Sequence, residues 1–246
     1  MMAYTCKIEL LGTKPSVWRT FQFHPDITFH QLHETIQEVM GWYNCHLYEF
    51  DVNGTSIGLL DPDDVWSSVD KDANKTKVSQ LVSRKGAVSA YTYDFGDGWE
   101  HRIKLLDNKA EGTETGAPLC LDGAMNCPPE DVGGVYGYEH LLEVLAGPDD
   151  DEKEEMLDWL GEEFDPAYFS VADVNEKLQV EGKKLLPKGL SAGGKKPVKL
   201  TKSKLNNYLK GLEADELTEL IKLCYDSSEE VKKLLAERIL GGAAGR

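Results

Sequence analysis

Tyr91–Leu106 reads YTYDFGDGWEHRIKLL. Two short runs, YTY and WEHRIKLL, flank Asp94-Phe95-Gly96-Asp97-Gly98. Apolar and polar residues alternate in both runs, which sorts side chains onto the two faces of a strand. Asp-Gly chemistry between such runs predicts a hairpin. In the second run Trp99, His101 and Ile103 share one face, so His101 points with Trp99 into a half-buried pocket. The turn concentrates Asp94, Asp97, Glu100 and His101 in one place.

Working outward, Tyr4–Leu11 and Val17–Phe23 are strand-like, with Gly12 and Pro15 supplying a turn between them. Phe29, Leu32, Ile36, Val39 and Met40 form a stripe at helical spacing. Thr28 and Gln31 make a capping box before it, and Gly41 ends it. Leu47–Val52 and Thr55–Leu59 flank Asn53-Gly54, a strong hairpin signal. The order strand, strand, helix, strand, strand predicts an α+β domain with a β-grasp-like mixed sheet and packed helices. Beyond it, 61–77 reads as a surface loop and 78–82 as a helical turn. Residues 120–138, rich in Pro and Gly, read as irregular, with helices following at about 138–146, 149–161 and 173–178.

Residues 182–204 carry eight lysines, no acids, two prolines and a Gly-Gly pair, the composition of a linker. Leucines at helical spacing in 205–246 predict a small all-α domain. The expected organisation is therefore an α+β domain over 1–181, a Lys-rich linker over 182–204 and a helical domain over 205–246.

Residues 1–178 hold 34 acidic and 13 basic side chains, net −21, and the remaining 68 hold nine acidic and 14 basic, net +5. A domain this acidic repels phosphate and is a poor nucleic-acid binder by itself. Only the Lys-rich linker is suited to nucleic acid or an acidic partner. Five cysteines, an odd number, come without a signal-peptide pattern or an apolar run of spanning length. These features lead to an expectation of a cytoplasmic chain with reduced thiols and no membrane contact.

Three constellations carry chemistry. Asp94, Asp97, Glu100 and His101 suit general acid–base work or a hard metal, although Asp94 and Asp97 equally suit a turn closed by side-chain-to-backbone bonds. His33, His46 and His101 are the candidate metal ligands, at a spacing that matches no standard motif. Pro128-Pro129-Glu130-Asp131 is a stiff loop bearing two carboxylates, followed by Gly133, Gly134 and Gly137. Candidate catalytic residues are thus His101, Asp94, Asp97 and Glu130. Candidate ligand-binding residues are Trp42, His46, Trp99, His101, Glu130, Asp131 and Tyr138, in a pocket between the central hairpin and the Pro128–Asp131 loop. Cys120 and Cys127 are not at zinc-knuckle spacing. The Asp-Phe-Gly letters stand without a glycine-rich loop or catalytic loop, so a kinase is excluded, and the glycines match neither phosphate-binding fingerprint. No organic cofactor is expected, and a divalent metal is the one cofactor these residues suit.

Four separated blocks, LHETIQEVMGWYNCHLYEF (32–50), YTYDFGDGWEHRI (91–103), CPPEDVGGVYGYEHLLEVL (127–145) and FDPAYFSVADVNEKL (164–178), resemble the plasmid pRiA4b ORF-3-like family in order and content. The VWRTF segment fits as well, and the resemblance spans about residues 4–178. It implies no specific reaction. Some members carry a resolvase label, which implies an accessory role in mobile-element DNA transactions, yet neither a serine nor a tyrosine recombinase constellation is visible. The leading expectation is a non-catalytic binding or regulatory module for a protein or small molecule. The alternatives are the mobile-element accessory protein and a metal-dependent hydrolase using the His/Asp/Glu cluster.

Overall fold

In the computed structural model, the central hairpin occupies the middle of a single eight-stranded sheet. Residues 1–60, 69–161, 164–181 and 185–187 are described. Chain contacts define two units, Met1–Gly194 and Lys195–Arg246. The expected helical domain, and the Lys-rich segment apart from 185–187, lie outside the described residues.

The strands are β1 (Met2–Leu10), β2 (Trp18–Phe23), β3 (Tyr48–Val52), β4 (Thr55–Gly58), β5 (Lys71–Asp72), β6 (Val88–Tyr93), β7 (Trp99–Glu111) and β8 (Leu119–Ala124). Their order is β5-β4-β3-β6-β7-β1-β2-β8, antiparallel throughout except for the short β4–β5 pair. The fold is α+β with a mixed sheet. The β-grasp-like expectation, in which the two early hairpins make one unit, differs from this order. β1–β2 and β3–β4 are held apart by β6 and β7: β7 pairs with β6 over Trp99–Lys104 on one side and with β1 over His101–Glu111 on the other.

One face of the sheet is buried and the other is solvated, as an antiparallel sheet allows. In β7, Trp99, His101, Ile103 and Leu105 are buried, while Glu100, Arg102 and Lys104 between them are exposed. The solvated face is knit by polar contacts, including Arg102–Glu9 at 2.5 Å and the Lys7 ammonium 4.3 Å from the centre of the Trp18 ring.

On the buried face lies α1 (Phe29–Met40). Both bonds of its capping box are made. The Gln31 amide donates to Thr28 Oγ1 and Thr28 N–H donates to Gln31 Oε1, at 3.2 and 3.0 Å. Gly41 stops the helix at φ 98°. The Phe29, Leu32, Ile36, Val39 and Met40 stripe is buried, and Phe29 meets Phe50 edge to face at 5.2 Å.

The remaining helices are α2 (Val78–Leu81), α3 (Gly134–Ala146), α4 (Asp151–Leu160) and α5 (Val171–Glu181). α5 covers the β8 edge through Asn175, whose Oδ1 accepts from Cys120 N–H at 2.8 Å and whose Nδ2 donates to Cys120 O at 2.9 Å. One side-chain amide thereby replaces a neighbouring strand. Leu185, Leu186 and Pro187, inside the segment expected to be linker, are buried instead. Gln31 Nε2 donates to the Leu186 carbonyl at 2.5 Å. No helix among the described residues is long and apolar enough to cross a membrane.

Candidate functional site

Three loops converge at one end of the sheet: 41–47 from α1 to β3, 94–98 from β6 to β7, and 125–133 from β8 to α3. Hydrogen bonds stitch each to the others. Trp42 Nε1 donates to Pro128 O at 3.0 Å and Tyr43 N–H to Glu130 Oε1 at 2.9 Å. Asp94 N–H donates to Leu47 O at 2.9 Å, and Gly133 N–H to Asp97 Oδ2 at 3.2 Å. The approach is closest at Gly134, where a Cβ would lie 2.5 Å from the Asp97 carbonyl oxygen.

The first loop is anchored by a closed polar ring. The Tyr91 hydroxyl meets His33 Nδ1 at 2.8 Å, and His33 Nε2 meets Asn44 Oδ1 at 2.7 Å. Asn44 N–H donates to Gln37 Oε1 at 3.1 Å, and Gln37 Nε2 donates to the Tyr91 hydroxyl at 3.1 Å. The amide oxygen of Asn44 only accepts, so His33 carries its proton on Nε2 and accepts on Nδ1. Burial pushes its pKa down to about 3. With both nitrogens engaged and its ring stacked 3.6 Å from Tyr48, His33 is a fastener rather than a metal ligand.

His101 is also set aside by its surroundings. It is 1% exposed, Nδ1 donates to the Tyr91 carbonyl at 3.2 Å, and burial lowers its pKa to about 4. Trp42 stands edge-on 5.3 Å away. The alternation that places Trp99 and His101 on one face holds, but that face is core rather than a half-buried pocket. Trp99, His101 and Tyr138 are buried and line none of the three cavities described below.

The structure brings together His46, Asp94, Glu130 and Asp131. His46 Nε2 lies 3.3 Å from Asp131 Oδ1, 3.6 Å from Glu130 Oε2 and 3.7 Å from Asp94 Oδ2. Ligand atoms of His46, Asp94 and Asp131 are mutually within 4.8 Å, the one such group of three among the described residues. His46 Nε2 and Glu130 Oε2 are both buried without a hydrogen-bond partner among those residues.

Each carboxylate is held by its other oxygen or by its backbone. Asp94 sits at φ 53° and its Oδ1 accepts from Gly96 N–H at 2.9 Å, leaving Oδ2 toward His46. It therefore serves as a turn former and as a site residue at once. Asp97, by contrast, is spent on Gly133. Glu130 Oε1 accepts from Tyr43 N–H and from the Tyr93 hydroxyl, and burial raises its pKa. Asp131 sits at φ 57° with its side chain 73% exposed, so the cluster opens to solvent on that side.

An ion bonded at about 2.1 Å to nitrogen and oxygen ligands in tetrahedral geometry sets them about 3.4 Å apart. The three distances from His46 Nε2 bracket that spacing. Imidazole with carboxylates suits Zn²⁺ or Mn²⁺. Sequence reasoning named all four residues. It grouped His46 with His33 and His101, and only the course of 42–47 turns His46 toward the acids instead.

Glu130 also borders a cavity of about 230 Å³ walled by Trp42, Tyr43, Pro128, Pro129, Trp159 and Phe164. Two further cavities lie along α3 and α4, and Trp159 is shared between the first cavity and one of these.

The chain is 40% identical over 175 residues to "Uncharacterized protein y4hQ" of Sinorhizobium fredii (strain NBRC 101917 / NGR234), a match covering 70% of this chain and 88% of that one. Among solved structures it is similar to "Crystal Structure of Protein of Unknown Function MM3350 from Methanosarcina mazei Go1", with a TM-score of 0.60 and 37% identity. That match covers 70% of this chain and 95% of the archaeal one. The family profile described as "Plasmid pRiA4b ORF-3-like protein" matches residues 2–173, a span that holds the sheet and all four clustered residues. By that match and these relatives, the chain belongs to the plasmid pRiA4b ORF-3-like family.

Proposed function

We propose that the domain is a metal-dependent binding module in which His46, Asp94 and Asp131, with Glu130 beside them, hold one divalent ion, Zn²⁺ or Mn²⁺. The observation that carries this reading is the convergence of ligand atoms of His46, Asp94 and Asp131 within 4.8 Å of one another, around a His46 Nε2 that is buried without a hydrogen-bond partner among the described residues. A buried polar atom without a partner is costly, and a cation bonded to it removes the cost. Two of the carboxylates, Asp94 and Glu130, are mostly buried, with side chains 10% and 11% exposed. Gathering them without a cation leaves like charges to repel one another. The acidity of the domain acts in the same direction, since it draws cations.

The test is calorimetric titration of chelator-treated protein with Zn²⁺ and Mn²⁺. One ion should bind per chain, and His46→Ala should weaken binding by more than about 100-fold. Undiminished binding in His46→Ala, or no binding by the wild type, would refute the assignment.

Metal-assisted hydrolysis is a second reading, favoured by the exposure of Asp131. A solvent-facing coordination position lets a bound water ionise near neutral pH. Turnover of ester or phosphoester substrates should then follow metal loading and vanish in His46→Ala. Turnover no different from that variant would leave the binding role alone.

A further inference from the structure

α4 presents Glu152, Glu155, Met156 and Trp159 along one side, at i, i+3, i+4 and i+7. All four line a groove of about 340 Å³ whose other wall includes Asp131 and His140. No α4 residue is fully buried; Met156 is partly buried against the core, and Glu152, Glu155 and Trp159 are exposed. Trp159, 49% exposed, forms a wall of this groove and of the 230 Å³ cavity beside Glu130. An indole thus stands between two spaces, with Glu130 in one and Asp131, Glu152 and Glu155 in the other.

The lining chemistry is one-sided. Among the described residues no Lys or Arg lines either space, and the one basic side chain among them, His140, pairs with Glu152 at 3.3 Å. Three donors of the first cavity are already engaged: Trp42 Nε1 with Pro128 O, Tyr43 N–H with Glu130, and Asn126 Nδ2 with Asp165 O. Aromatic rings and carboxylates recur around both spaces. Among the described residues an anion would find no lysine or arginine there. A cation finds both ring faces and acids, and tryptophan is the strongest ring for the purpose.

We propose that the two spaces meeting at Trp159 bind a primary alkylammonium group, carried by a free di- or polyamine or by a lysine side chain. The ammonium lies against the indole and is paired on the groove side by Glu155 or Glu152. The methylene stem lies on Trp42, Pro128 and Phe164. The first space, at about 30 Å³ per water, has room for about eight waters, or for a chain the size of a lysine side chain. This site goes beyond the metal reading. It borders the proposed ion at Glu130 and Asp131 but does not require it.

The experiment is calorimetric titration of the full chain in about 150 mM KCl, where the Debye length is about 8 Å and general attraction to an acidic surface is screened. The probes are 1,4-diaminobutane, spermidine, N,N′-diacetyl-1,4-diaminobutane, and a short lysine peptide with its acetyllysine counterpart. Saturable binding of an amine with a Kd on the order of 1 mM or tighter is expected, with none for the acetylated probes. Tighter binding of spermidine identifies a free amine as the ligand, and tighter binding of the peptide identifies a lysine side chain. Trp159→Ala should weaken binding about tenfold and Glu155→Gln about threefold. No saturation by about 10 mM amine, or equal affinity in Trp159→Ala and Glu155→Gln, would overturn the proposal. Zn²⁺ titration of the same samples reads the metal site separately, so either assignment can fail while the other stands.

Discussion

The Tyr93 hydroxyl donates to Glu130 Oε1 at 3.0 Å and accepts from the Cys45 amide at 3.0 Å. One phenol therefore ties the loop that carries His46 to the loop that carries Glu130. Tyr93→Phe keeps the ring packed against Trp42 and removes both bonds. We expect metal affinity to fall about tenfold, as for loss of a group that orients a ligand. Stability should fall by about 1 kcal/mol, the typical net contribution of a hydrogen bond whose donor water can reach. Zinc titration and denaturant unfolding of the variant check the two effects.

Glu130→Gln separates stability from binding. Burial raises the Glu130 pKa above the ordinary 4.5, so the folded chain resists its ionisation. In the metal-free protein, stability falls as pH rises from 4.5 through the raised value, because the folded state binds the proton more tightly than the unfolded state. A glutamine keeps an oxygen for Tyr43 N–H and the Tyr93 hydroxyl without the charge. The variant should melt about 2–4 °C higher than wild type without metal at pH 7. It should also lose part of the melting increase of about 5–10 °C that saturating Zn²⁺ gives the wild type. Thermal melts with and without chelator test both expectations.

His33 and His101 make the fold acid-sensitive independently of the metal. Their folded pKa values, about 3 and about 4, lie below the ordinary 6.5. The stabilisation is complete above pH 6.5 and is lost as pH falls toward 4, because the unfolded chain takes up protons that the folded chain refuses. For His101 the loss amounts to about 3 kcal/mol. His101→Phe should reduce the pH slope of unfolding free energy by about one proton between pH 6 and 4.5. An unchanged slope would remove His101 from this account.

Much of the scaffold was legible because its signals are local. Thr28, Gln31 and Gly41 mark both ends of α1, and Asn53-Gly54 marks the β3–β4 turn, at φ 54° and 79°. β8 escaped notice because Cys120–Asn126 does not alternate cleanly. Its partner Phe21 lies a hundred residues away. The first turn of α3 was missed because Gly133, Gly134 and Gly137 are poor helix formers. They are there for tertiary reasons: a Cβ on Gly137 would lie 1.8 Å from Val132 O. At the site, residue type was readable and direction was not. Period-two alternation correctly paired His101 with Trp99 but could not say how deeply that face is covered. Nothing in YNCHL announces that His46 turns toward the acids while His33 turns toward Asn44.

Asn175 offers a further test away from the site. Asn175→Ala leaves the Cys120 N–H and C=O without partners on an edge strand, which costs about 1–3 kcal/mol. Denaturant unfolding should show that loss, and zinc affinity should stay unchanged.

The position of Asn175 carries a consequence for where this domain can be cut. The family match ends at residue 173, two residues before the amide that completes the sheet border. A chain trimmed to the matched limit would keep every strand and every clustered acid yet expose β8 as an adhesive seam. Such a fragment should pair with copies of itself and sediment as oligomers, whereas a fragment reaching residue 187 should stay monomeric. The matched span and the stretch that completes the sheet border are therefore two different lengths of chain.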